Sequence, residues 1–156
     1  MRRGDIILVD YRWDPISWYI KKFTNSQWNH TAFIIDNKSV IEARGKGIMI
    51  SPIKRYQNKL FFKMKVVRPK LNYKKLTKAV DCAVMQAGNK SSYLKFLYSL
   101  FSLKHNYFTT PRHKTCSGMI AETLYVVGFR FRNDKHPLQI TPEDISSSRR
   151  IINVEN

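Results

Sequence analysis

The order of short and long apolar patterns along the chain predicts a single domain of the α+β class. Between residues 4 and 68, short apolar runs alternate with turn residues, whereas after residue 73 the apolar positions recur at helical spacing. The chain has 156 residues, of which 43% are hydrophobic, enough for one folded domain with its own core. No linker, repeat or low-complexity tract interrupts it, so we predict one domain over residues 1–156.

The predicted strands are apolar or alternating runs that end at glycine, proline or asparagine. They cover residues 4–10, 28–36, 39–43, 48–51 and 60–68, with a last short strand at 150–154. Asn37 and Lys38 supply the turn between the second and third runs, which predicts a hairpin there. Residues 129–131 are predicted to form a brief extended segment.

The predicted helices cover residues 14–23, 73–87, 93–101 and 116–127, with a short capped turn at 141–145. Thr141 is a candidate N-cap, and Pro142 suits the first helical position. Gly88 and Gly128 stand where the second and fourth helices are expected to stop.

Cys116 lies at the predicted first turn of a helix. Free backbone N–H groups and the positive end of the helix dipole favour a thiolate there, and the thiolate is the nucleophilic form. The other interpretation is an inert half-buried cysteine, which is how we interpret Cys82. The two cysteines form neither a disulfide framework nor a CxxC pair, and the four histidines lack zinc-finger spacing. The sequence therefore predicts no metal site and no cofactor.

His30 is the candidate base for Cys116, because it begins an apolar strand at the end of a sheet. Glu42 interrupts the next apolar strand, where a carboxylate is costly unless it is paired. Pairing with His30 would fix the histidine tautomer and stabilise the imidazolium. His30 and Glu42 lie on the same face of the sheet only if the numbers of residues paired across the hairpin add up to an even value. The sequence does not fix that register. A solvent-facing His30, an outward Glu42, or Asp36 as the histidine's partner are the alternatives.

Five short motifs in their order along the chain resemble the circularly permuted NlpC-like cysteine hydrolases of papain type, the YiiX-like group. They are the G-D-I-hydrophobic strand at 4–9, the T-x-S segment at 24–26, the histidine strand at 29–34, V-I-E-A at 40–43 and the cysteine helix start at 115–120. The histidine precedes the cysteine, as in the permuted members. The resemblance covers residues 4–145.

The resemblance implies a papain-like fold, with a small antiparallel barrel-like sheet packed against the helix that carries the cysteine. It implies Cys116 as nucleophile, His30 as general base and Glu42 as the acid that orients His30. The backbone N–H of Cys116 would supply part of the oxyanion hole.

Further site residues are also expected from the resemblance. Tyr125 matches an aromatic hydroxyl beyond the cysteine, although nine residues place it only approximately on the same helix face. Tyr11, a candidate substrate contact, and Asp10 are candidates for the second oxyanion donor. Gly118 stands where relatives often carry an acidic residue, which puts substrate contacts there in question.

The implied function is a thiol hydrolase that cleaves amide bonds through a thioester, with bacterial peptidoglycan peptides as the first substrate class. One alternative is a lipid acyl hydrolase or acyltransferase with the same thiol. Under this lipid hypothesis, the aromatic residues within 13–23, beside Lys21 and Lys22, would form a helix that lies at the membrane interface. The other alternative is a non-catalytic basic module that binds an anionic polymer.

The formal net charge of +17 predicts anionic surroundings, such as a cell-wall or peptide substrate or an anionic lipid surface. No nucleic-acid signature motif accompanies the charge, and the oligomeric state is left open. No apolar run approaches the ~20 residues that span a bilayer, and no secretory h-region follows Met1. We therefore expect a cytoplasmic protein, or one released without a signal peptide, as from a phage.

Overall fold

The computed structural model describes residues 1–11, 21, 26–45, 47–58, 60–88 and 115–154. The predicted helix at 93–101, and the one at 14–23 apart from Lys21, lie outside the described residues, as do His105 and His113. Among the described helices, none is both long and apolar enough to cross a membrane.

Among the described residues, six strands form one antiparallel sheet, which confirms the α+β class. They are β1 (Ile6–Tyr11), β2 (His30–Ile34), β3 (Ser39–Arg44), β4 (Gly47–Pro52), β5 (Phe62–Pro69) and β6 (Ile151–Val154). Their order across the sheet is β4-β3-β2-β1-β5-β6. Each matches a predicted strand within a few residues. The expected extended segment at 129–131 forms no strand. Its two phenylalanines, Phe129 and Phe131, instead pack edge to face in the core, with ring centroids 5.1 Å apart.

Both faces of the sheet are buried, which is why its strands appear as apolar runs in the sequence. Ile6, Leu8 and Phe33 face one core cluster, beneath the helices. Ile7 and Val9 face the other cluster, which also receives side chains from a 3₁₀ turn, Ile53–Tyr56. The sequence did not predict this turn, because only a short polar and aromatic stretch encodes it.

Two helices, α1 (Tyr73–Val84) and α2 (Cys116–Tyr125), contribute to the first core cluster. Asn72 caps α1 by accepting a hydrogen bond from the Lys75 N–H at 2.9 Å. Gly88 and Gly128 follow the two helices with φ of 87° and 81°. Because a residue with a Cβ is strained in this region, the two predicted stop positions are confirmed.

The short helix α3 (Pro142–Ser146) supports the segment that leads into β2. Thr141 and Asp144 form a reciprocal capping box at its start. Glu143 accepts hydrogen bonds from the Ser26 hydroxyl and the Gln27 N–H, both at 3.3 Å. The indole N–H of Trp28 donates to Ser146 Oγ at 3.0 Å. These contacts fix the backbone immediately before His30.

Candidate active site

Helix α2 begins at Cys116, as predicted. Thr115 is its N-cap, and its hydroxyl oxygen accepts a hydrogen bond from the Gly118 N–H at 3.0 Å. The first intrahelical bond runs from Met119 N–H to Thr115 O at 2.9 Å. The N–H groups of Cys116 and Ser117 therefore stand at the helix start, where α-helical geometry offers them no partner. The positive end of the helix dipole lies at the same place.

A second 3₁₀ turn, Pro137–Gln139, holds this helix start in position. The Ser117 hydroxyl donates to Ile140 O at 2.5 Å. A Cβ on Gly118 would lie 2.8 Å from Thr115 Oγ1 and 3.2 Å from Leu138 O. The helix cap and the turn thus leave no room for a side chain, which gives a packing reason for glycine where an acidic residue was expected from the resemblance.

His30 and Glu42 lie on the same face of the sheet. The β2–β3 register pairs Phe33 with Ile41 and Ile34 with Val40, so paired numbers have an even sum. His30 Nε2 lies 2.6 Å from Glu42 Oε2, and Glu42 is fully buried. The pairing between the two strands stops at Phe33 and Ile41, although both strands continue. The two side chains meet at the end where the strands separate.

The Cys116 thiol is electrostatically coupled to the His30 imidazole and to the side chain and backbone of Thr31. Burial raises the pKa of this thiol, but the charge and hydrogen bond of His30 and the hydrogen bond from Thr31 outweigh burial, so the pKa is lowered. Because Nε2 of His30 is bonded to Glu42, Nδ1 is the ring nitrogen left for the sulfur.

The pKa of His30 moves in the opposite direction. Burial lowers it, but the Cys116 thiolate and the Glu42 carboxylate outweigh burial and raise it to about 10. A lowered thiol pKa beside a raised imidazole pKa favours a thiolate–imidazolium pair at neutral pH. His30 is 6% exposed, and Cys116 is partly buried against the first core cluster.

Two residues that sequence reasoning missed hold the Glu42 carboxylate. Arg44 Nε donates to Glu42 Oε2 at 3.0 Å, and the Tyr56 hydroxyl donates to the same oxygen. Burial raises the pKa of Glu42, but the hydrogen bond and charge of His30, together with hydrogen bonds from Ser51 and Tyr56, outweigh burial and bring it to about 2. Burial and the Glu42 charge raise the pKa of Tyr56 above its usual range, so its hydroxyl stays a proton donor.

A sequence signal existed for Arg44 but not for Tyr56. Arg44 stands two residues after Glu42 on one strand, and alternate strand residues share a face. Tyr56 reaches the carboxylate from the 3₁₀ turn, whose position depends on tertiary packing. Its ring stacks beside the His30 ring, with centroids 6.3 Å apart.

Tyr11 lies at the site and Tyr125 does not. The Tyr11 ring meets the His30 ring edge-on, with centroids 5.8 Å apart, and its hydroxyl accepts a hydrogen bond from Arg44 Nη2 at 2.5 Å. Tyr125 ends α2, about 14 Å along the axis from Cys116 at 1.5 Å per residue. It is 44% exposed, and its hydroxyl accepts from Arg130 Nη2 at 2.9 Å. The structure therefore does not bring Tyr125 together with Cys116, because the length of α2 places it at the far end of the helix.

Two acidic residues that were candidates for the site contact other residues. Asp10 was a candidate oxyanion donor, and Asp36 was the alternative partner of His30. Asp10 forms an ion pair with Lys21 and accepts a hydrogen bond from Asn29 Nδ2 at 3.2 Å. Asp36 is exposed in the β2–β3 turn and accepts from the Lys38 N–H at 2.7 Å. Cys82 is half-buried on α1 and free. Within the described ranges, no three His, Cys, Asp or Glu side chains are grouped so as to hold a metal ion.

No family model matches this chain, and no curated protein matches it. Among solved structures, it is similar to YiiX from Escherichia coli O157:H7, which is described as a metalloprotein. The TM-score is 0.73 at 19% sequence identity, over 99% of this chain and 96% of YiiX. At that identity the similarity establishes the fold, so the chain has a YiiX-like fold over nearly its whole length.

Proposed function

We propose that this protein is a thiol hydrolase of the permuted, papain-like NlpC type, with Cys116 as nucleophile, His30 as base and Glu42 as the residue that orients His30. The observation that carries the proposal is the position of the Cys116 thiol at the start of α2, where it is electrostatically coupled to the His30 imidazole, whose Nε2 is hydrogen-bonded to the buried Glu42 carboxylate. Nucleophile, base and orienting group in series are what thiol catalysis requires.

In the proposed reaction, the Cys116 thiolate attacks the carbonyl carbon of an amide. The oxyanion that forms is stabilised by the Cys116 N–H at the start of α2. The His30 imidazolium gives its proton to the leaving amine, and a thioester to Cys116 remains. Neutral His30 then takes a proton from water, whose oxygen attacks the thioester and releases the acid and the thiol.

Glu42 acts on His30 rather than on the substrate. Its Oε2 holds Nε2–H, which turns Nδ1 toward the sulfur and stabilises the imidazolium. Arg44 and Tyr56 keep that carboxylate ionised and fixed. They are positioning residues, because they act through Glu42.

The first substrate class is the peptide amide of bacterial peptidoglycan, since the net charge of +17 suits an anionic wall. The second class is an acyl lipid, cleaved or transferred through the same thioester. The exposed apolar residues Leu60 and Phe61, near the aromatic side chains around His30, favour this second class.

The description of YiiX as a metalloprotein raises the question of a metal at this site. The residues here do not fit one: Glu42 Oε2 lies in direct hydrogen-bond contact with His30 Nε2 at 2.6 Å, which leaves no space for an ion between them. The described residues offer no other cluster of three metal-binding side chains. The proposed reaction therefore uses no metal ion.

The function is tested by incubating a Cys82→Ala protein with wall peptides and, separately, with acyl lipids. Released product and the intact mass of the protein are measured together. We expect turnover of one class and an acyl adduct on Cys116, both lost in Cys116→Ser. Neither turnover nor adduct with either class, from a folded protein, would contradict the proposal and favour a binding module.

A further inference from the structure

A tight turn presents two apolar side chains to solvent between the Ile53–Tyr56 turn and β5. The N–H groups of Phe61 and Phe62 both donate to Asn58 O, at 3.2 Å and 3.1 Å, and the Leu60 N–H donates to Asn58 Oδ1 at 3.1 Å. Leu60 is nevertheless 75% exposed and Phe61 53% exposed. Exposed apolar side chains beside hydrogen-bonded backbone N–H groups indicate a surface that contacts another molecule.

This turn is joined to the candidate site by a series of ring contacts. The Phe61 and Phe62 centroids lie 6.4 Å apart, Phe62 and Tyr11 5.1 Å apart, and Tyr11 and His30 5.8 Å apart. The exposed pair therefore lies at the edge of the site, three ring contacts from the proposed base.

Basic side chains flank the apolar pair. Lys54 and Arg55 are exposed on the preceding 3₁₀ turn. The Tyr56 and Phe62 rings, 5.9 Å apart, bring that turn next to the start of β5. No acidic residue occurs in the sequence between Glu42 and Asp81, so nothing on this stretch offsets the positive charge.

We infer that Lys54, Arg55, Leu60 and Phe61 form a docking rim that binds the surface of an anionic lipid bilayer. The basic pair contacts lipid phosphates, while Leu60 and Phe61 enter the boundary between headgroups and acyl chains. A soluble polyanion would satisfy the charges but would leave the apolar side chains in water. The combination of apolar and basic residues therefore favours a lipid surface.

The experiment measures co-sedimentation with vesicles of phosphatidylcholine containing about one third phosphatidylglycerol, against phosphatidylcholine alone. It uses a Cys116→Ala protein, so binding is measured without turnover and independently of the proposed chemistry. We expect binding to the anionic vesicles only. Lys54→Ser with Arg55→Ser should weaken it about thirtyfold, at about 1 kcal/mol for each basic residue. Leu60→Ser with Phe61→Ser should weaken it at least about tenfold.

Matched controls exist elsewhere on the surface. Lys74→Ser with Lys75→Ser removes the same charge from the first turn of α1, and Val126→Ser with Ile152→Ser removes exposed apolar side chains away from the rim. Both should bind like the parent. Weakening by the basic substitutions alone, with Leu60→Ser and Phe61→Ser neutral, would overturn the inference and indicate a soluble anionic polymer. Equal weakening by rim and control pairs would overturn it as well.

Discussion

Replacing Glu42 by glutamine tests the electrostatic basis of the site. Glutamine keeps the size of the side chain and an oxygen that accepts from His30 Nε2, but it removes the charge. Because the carboxylate lies 2.6 Å from the imidazole in a buried setting, that charge supports the imidazolium directly. The substitution thus separates the effect of charge from the effect of the hydrogen bond.

The surroundings of His30, Cys116 first and Glu42 after it, raise its pKa from 6.5 to about 10. A nearby opposite charge shifts a pKa by about one to three units. Glu42→Gln should therefore lower the His30 pKa by about that much. Each unit corresponds to about 1.4 kcal/mol between the two protonation states. Because the imidazolium supports the Cys116 thiolate, the thiolate fraction at neutral pH should also fall.

The assay is an NMR titration of the His30 ring proton, assigned by its loss in His30→Ala. Glu143→Gln is the matched control, because Glu143 contacts Ser26 and Gln27 rather than the imidazole. The control should leave the His30 titration near that of the parent. A His30 pKa that is the same in Glu42→Gln and in the parent would refute the assignment of Glu42 as the group that stabilises the imidazolium.

Further predictions concern the neighbours of this pair. Tyr56→Phe removes one donor to Glu42, so we expect the His30 titration to shift and turnover to fall about tenfold at unchanged KM; a change in KM alone would contradict a role through Glu42. Gly118→Ala should destabilise the fold by about 1–3 kcal/mol in urea unfolding, because its Cβ would meet Thr115 and Leu138. Tyr125→Phe should leave turnover unchanged, and a loss of rate would show that the helix end contacts substrate. The stabilisation from ionised Glu42, whose folded pKa of about 2 lies below the ordinary 4.5, should be complete above pH 4.5 and lost as pH falls toward 2. Glu42→Gln should remove that part of the pH dependence of unfolding free energy.

Most strands were predictable, because a strand that is buried on both faces of the sheet needs apolar residues at consecutive positions. The helices were predictable from apolar residues at helical spacing. Helix ends were predictable where a capping residue or a glycine marks them locally, as at Thr141 and Gly128. The 3₁₀ turn at Ile53–Tyr56 was not predictable, because four residues are too few to show a periodic pattern of apolar positions.

The candidate site was predictable in its residue types but not in its geometry. The residue numbers of His30 and Glu42 have an even sum, so they can share a face of the sheet. Whether they do depends on the β2–β3 register, which is set by the tertiary structure. Tyr125 lies away from Cys116 because the rise of the helix over nine residues places the two at opposite ends of α2. Tyr56 was missed because its contact with Glu42 joins segments that no local pattern connects.

The proposed mechanism depends on Cys116 being held as a thiolate by His30. It is tested most directly by the rate of Cys116 alkylation by iodoacetamide against pH, in a Cys82→Ala protein with His30→Ala as control. We expect a rate that titrates well below the ordinary thiol pKa of ~8.5 and loses that shift without His30. An ordinary thiol titration that is the same with and without His30 would contradict it.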